Sequence, residues 1–173
     1  MSSSLLMEIL RLFHIVAGVL WVGGMVMLAF FVGPTAGALG PAGGAMMNHL
    51  AKVRKLPAYL ASMAGITVLA GLALMWLNAS ATGGEWMRTP MGKTFMWGAL
   101  AAIVAFIWGI AFTARMARGL AARAGALAAA GRPPTPEEQA DMKRSFTRLG
   151  FHTRGVAILL IIAAAFMAGA RYV

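Results

Sequence analysis

"TPMGKTFMWGALAAIVAFIWGIAFTARMARGLAARAGALAAAG", residues 89–131, decides the fold. Thr89 suits a helix N-cap, and Pro90 suits the first helical position, where its missing N–H costs nothing. No proline follows within the stretch, and its second half is rich in alanine, the best helix former. At 1.5 Å per residue, about 40 residues make roughly 60 Å of helix, twice the ~30 Å of bilayer hydrocarbon. Residues of about 91–113 are apolar enough to span; those beyond carry Arg115, Arg118 and Arg123 and are expected in water. "GRPPTPEEQ" (131–139) then breaks the chain, and Thr135, Pro136 and Glu138 restart it as a capping box. No proline follows up to Arg171. The segment 114–149 is therefore read as a helical hairpin whose two arms pack antiparallel outside the membrane.

Working outward, the rest of the chain agrees with this reading. Of 173 residues, 60% are hydrophobic and 12% charged, where a soluble domain carries about 25% charged. Three further apolar runs span residues of about 12–32, ending at Gly33-Pro34, then 57–77 and 150–170. The expected fold is all-α: a four-helix integral membrane bundle forming one domain over 1–173, with no internal repeat. The N-terminus, "MSSSLLMEILRLFH", lacks a basic start and a small-residue cleavage site, which reads as a retained first span. "GPTAGALGPAGGAMMNHLAKVRK" (33–55) reads as a Gly/Ala/Pro loop that becomes a short basic helix from about Ala45, lying in the headgroup zone.

The net charge of +10 would suggest a nucleic-acid partner if it were gathered on one soluble face. It flanks the apolar runs instead. Eleven of the 15 basic residues fall in two connections, Lys52, Arg54 and Lys55 in one and Arg115 to Arg154 in the other. By the positive-inside rule both connections are cytoplasmic, and both termini and the 78–90 loop are outside. The expected setting is a bacterial inner membrane, with lipids and other membrane subunits as partners and no nucleic acid.

Chemistry-bearing residues are few. There are no cysteines, which excludes disulfides, thiolate metal sites and iron–sulfur ligation. The spans contain no central Asp or Glu, so a proton relay or ion-coupled transporter lacks its parts. No hydrolase triad or phosphate loop is present. His14 remains, a few residues inside Arg11. With Gly18, Trp21 and Met25 it lines one helix face. One reading makes His14 an axial ligand, Gly18 the room for a flat macrocycle and Trp21 the closing wall. The other makes His14 a near-interface packing residue and the glycines points of close helix contact. His49 and His152 lie on the opposite side, so a bis-histidine site with His14 does not close. Lys93 is either an anion or propionate partner or a snorkelling lysine. Among 14 methionines, Met87 and Met91 with His14 are the copper(I) candidates, against methionine's commoner use as gap filler.

"FHIVAGVLWVGG" (13–24), with its His-x6-Trp-x-Gly pattern, resembles the first span of membrane proteins grouped around the copper-resistance CopD domain and the HemJ type of protoporphyrinogen oxidase. "MGKTFMWG" (91–98) and "AILLIIAAAFMAGARYV" (157–173) look similar as well. The resemblance covers the four spans loosely, and only the first-span motif has specificity. It implies a four-helix bundle and, on the HemJ side, a b-type haem with His14 as ligand and Lys93 as the counterpart of a third-span lysine. This chain has "FFVGPTAGALGPAGG" (30–44) where HemJ proteins carry a tyrosine/histidine stretch, and its fourth span lacks their asparagine–glutamate–proline element. The scaffold is implied; oxidase activity is not.

The functional expectation is a non-enzymatic accessory subunit of a larger membrane complex, electron-transfer or photosynthetic in kind. A haem b protein with His14 as ligand is the alternative, and copper handling a further one. Small-residue faces, Ala61 with Gly65 and Ala105 with Gly109, suit contact with partner helices.

Overall fold

The computed structural model describes residues 3–173, with side chains from residue 4 on; the first two residues of the expected 1–173 domain lie outside it. It is all-helical, with no strand among the described residues. Helix α1 runs Ser3–Met27, α2 Gly33–Ala38, α3 Pro41–Lys52, α4 Leu56–Ala81, α5 Pro90–Trp108, α6 Ala114–Ala129 and α7 Pro136–Gly169. Four stretches are long and apolar enough to cross a membrane: Ser4–Ala38, Leu56–Ala81, Pro90–Ala129 and Pro136–Tyr172.

The first of these outruns its expected end. Gly33-Pro34 was expected to stop the helix, yet the chain continues helically to Ala38. A π turn at Leu28–Val32 makes this possible. The Gly33 N–H bonds the carbonyl five residues back, at Leu28, and the widened turn relieves the contact between the Pro34 ring and the carbonyl of Phe30. Only glycine fits here, since a Cβ at Gly33 would stand 2.8 Å from the Leu28 carbonyl oxygen. The expected loop is thus mostly helix, broken only at Leu39-Gly40, where Gly40 has φ +54°.

A second π turn, Gly109–Thr113, joins α5 to α6 without a break, giving 40 continuous helical residues. Thr89 caps α5 by accepting from the Gly92 N–H at 3.0 Å. The capping box before α7 forms in full: the Thr135 hydroxyl accepts from the Glu138 N–H, and the Glu138 carboxylate accepts from the Thr135 N–H. Past the end of α6, Gly131 at φ +64° turns the chain back. Alongside, α6 and the start of α7 are tied by Arg123, which donates to Asp141 at 2.9 Å and to Ser145 at 3.3 Å.

The long helices form two close pairs, α1 with α4 and α5 with α7, joined mainly through α1 and α7. Small residues set the close approaches. A Cβ at Gly24 would meet Leu60 at 2.7 Å, and one at Gly98 would meet Phe166, Met167 and the Ala163 carbonyl at 3.1–3.3 Å. All four helices feed one core of Trp21, Met25, Leu60, Ala64, Ala105, Val156 and Leu160. The outward faces are apolar as well; around α4 the apolar residues are spread on all sides, as in helices with no water-facing side.

Candidate functional site

His14 lies at the α1–α4 seam. Its Nδ1 is 2.8 Å from the backbone carbonyl of Thr67. A carbonyl only accepts, so Nδ1–H donates, and in the neutral ring the Nε2 lone pair is left free. Gly71, one turn further along α4, makes room for the ring: a Cβ there would sit 2.8 Å from Cε1 and 2.9 Å from Nδ1. Thr67 is buried and returns its own hydroxyl to the Met63 carbonyl at 2.7 Å. The seam was hidden in the sequence, because a backbone carbonyl leaves no motif and Gly71 is one of 21 glycines.

Gly18 and Trp21 do share the His14 face, and that face is turned to the chain itself. A Cβ at Gly18 would lie in ordinary contact with Thr67, 3.5 Å from its methyl. Trp21 is buried in the core with Phe106 edge-on to it, ring centres 6.3 Å apart at 89°. Lys93 stands exposed in the first turn of α5, with no hydrogen-bond or ion-pair partner for its side chain among the described residues. Met87 is exposed in the 3-10 turn Glu85–Arg88 and Met91 half-buried at the start of α5, while the His14 ring is engaged with α4. No three of the described His, Asp and Glu residues converge.

His152 is the residue that sequence reasoning undervalued. Its Nδ1 accepts a hydrogen bond from the Trp108 indole at 2.9 Å. Phe112 is stacked on the ring at 6.2 Å and 7°, and Phe151 and Trp108 stand edge-on at 5.8 and 5.9 Å. An indole N–H only donates, so the neutral His152 carries its proton on Nε2. His14 and His152 are thus held in opposite tautomers, and of these two only His14 presents a free nitrogen lone pair. Trp108 and Phe112, four residues apart, were the available signal. His49 is exposed on α3, and its backbone carbonyl accepts from the N–H groups of Val53 and Arg54.

Charge gathers on α6 and the first half of α7. The Arg132 guanidinium grips Glu138 through two bonds of 2.7 and 2.9 Å. With the Thr135 N–H it holds that carboxyl down at about 2, from an ordinary 4.5. Asp141 is shared between Arg123 at 2.9 Å and Arg144 at 3.5 Å. Further along α7, Ala140, Lys143, Arg144, Thr147 and Arg148 share one exposed face of the helix.

Compared with the known protein families, with curated proteins and with solved structures, the chain matches none.

Proposed function

We propose that this chain is a non-enzymatic accessory subunit of a larger membrane assembly, inserted through its four apolar helices in a bacterial inner membrane. Its basic connections and the α6–α7 hairpin then face the cytoplasm and both termini the outside. Electron-transfer and photosynthetic complexes are the assemblies in view. The observation that carries this reading is the outer face of α4. Ala61 and Gly65 form a shallow notch, with nothing within 4 Å of where a Gly65 Cβ would stand. Leu69 and Trp76 project beside it, 70% and 68% exposed. A notch beside large apolar knobs suits a neighbouring helix. Of the second expected face, only Gly109 is open, because Ala105 is fully buried in the core.

The test is photo-crosslinking in native membranes from positions 69 and 76, with purification in mild detergent. Discrete adducts and a co-purifying membrane protein are expected. A bare monomer with no adduct at either position removes the proposal.

A second reading, a b-type haem protein, is favoured by the His14 ring alone. Ligand histidines characteristically donate their other ring N–H to a carbonyl or carboxylate, as Nδ1 does to Thr67. The fit is partial, because the room Gly18 was expected to supply faces the Thr67 side chain. A bound haem would supply one-electron chemistry, with His14 as its protein ligand. A Soret band in the purified protein, lost in His14→Ala, supports this; a colourless preparation at full yield removes it. No contact of His14 favours copper.

A further inference from the structure

Helix α7 carries an exposed stripe that changes character along its length. Lys143, Arg144, Thr147 and Arg148 form its cationic part. At helical spacing the same face continues through Phe151, Ile158 and Ile162, which are 69%, 49% and 40% exposed. The opposite face of the helix, Thr153, Val156, Leu160 and Ala163, is buried in the bundle. The face turns from cationic to apolar around Gly150, where the fourth apolar run begins, with the exposed Arg154 as the last cation on this side of the helix. The cationic part holds little compensating charge. Asp141 reaches Arg144 at 3.5 Å but is already bound by Arg123, and Lys143 and Arg148 have no acidic partner among the described residues.

We propose that this face of α7 is a binding site for an anionic phospholipid. The phosphate lies on the helix face among Lys143, Arg144 and Arg148, and an acyl chain runs along Phe151, Ile158 and Ile162. The continuity of the stripe selects this occupant. An acidic protein would satisfy the cationic end and leave the apolar end unexplained, and a second apolar helix would do the reverse. An amphiphile with a negative head matches both. Phe151 to Ile162 spans about 16 Å of helix, close to half of a ~30 Å hydrocarbon layer, so one leaflet's acyl chain covers it. The guanidinium and ammonium groups supply charge-assisted bonds to phosphate oxygens. The site rests on the membrane-spanning reading above.

The experiment reconstitutes the full chain into phosphatidylcholine vesicles. It measures the motionally restricted fraction of trace spin-labelled phosphatidylglycerol against that of spin-labelled phosphatidylcholine. A preference of at least about fivefold for the anionic lipid is expected, the equivalent of about 1 kcal/mol, which is what one nearby basic side chain contributes. The Lys143→Gln/Arg144→Gln/Arg148→Gln variant should bring it close to one, while Arg115→Gln/Arg118→Gln on α6 should leave it in place. Water-soluble glycerol phosphate should fail to compete, since it has no chain for the apolar stripe. Equal restriction of both lipids, a preference unchanged in the α7 variant, or full competition by glycerol phosphate overturns the site. Flotation with the vesicles is read first: protein that floats and shows no preference sinks only the lipid site, whereas protein that never floats sinks the membrane reading too.

Discussion

A hydrogen bond at one nitrogen of a histidine fixes both where the ring lies and which of its nitrogens is protonated. His14 and His152 show the two outcomes, Nδ1–H in one and Nε2–H in the other. Nitrogen-15 shifts of the two imidazoles in detergent micelles should show these tautomers; the same tautomer at both positions would contradict the geometry. Gly71 offers an energetic check. A methyl there meets the His14 ring at 2.8 Å, so Gly71→Ala should cost about 1–3 kcal/mol by overpacking. In the His14→Ala background most of that cost should vanish, because the ring that the methyl strikes is gone. Thermal unfolding of the four proteins gives the coupling; additive effects would mean that the seam is looser than described.

Helix ends in this chain are set by local chemistry, and they respond to local changes. Thr135→Ala removes one half of the α7 capping box and should cost about 1 kcal/mol, seen as faster amide exchange in the first turn of α7. Glu138 adds a pH dependence. Its carboxyl is depressed to about 2, first by the Arg132 side chain and then by the Thr135 N–H. A depressed carboxylate stabilises the folded form above its unfolded value and loses that contribution as pH falls through the folded one. The start of α7 should therefore loosen between about pH 4.5 and 2, and Glu138→Gln should abolish the change in that window. Exchange that is flat across the window in the parent protein would contradict the ion pair.

The assembled molecule is two tightly packed helix pairs sharing a core. Leu160 and Val156 are its most deeply buried large side chains. Leu160→Ala should cost about 2–5 kcal/mol, since the surrounding helices cannot close fully on the space left behind. Phe151→Ala, on the exposed stripe, should leave the unfolding temperature nearly unchanged. The lack of cysteine makes orientation directly measurable. A cysteine introduced at Ala81 should react with an impermeant thiol reagent added to intact cells, whereas one at Ala122 should react only after permeabilisation. The opposite pattern would invert the topology.

What the sequence determined by itself was whatever local physics decides. Alanine-rich, proline-free runs make helix wherever they are placed, Thr135 to Glu138 closes its cap within four residues, and Gly131 turns the chain because glycine bears a positive φ freely. Apolar length gave four helices long enough to cross a membrane. The end of the first run differs from the expectation, because Gly33-Pro34 breaks an ordinary helix but is accommodated by the π turn Leu28–Val32 directly before it. The tertiary structure alone decided which helix each buried group meets. The carbonyl of Thr67 and the empty space at Gly71 define the His14 seam, and an indole 44 residues away defines the state of His152. Such contacts depend on the rotation of each helix about its axis. That rotation is set by packing among helices that are apolar on nearly every side, so hydropathy along the chain carries no record of it.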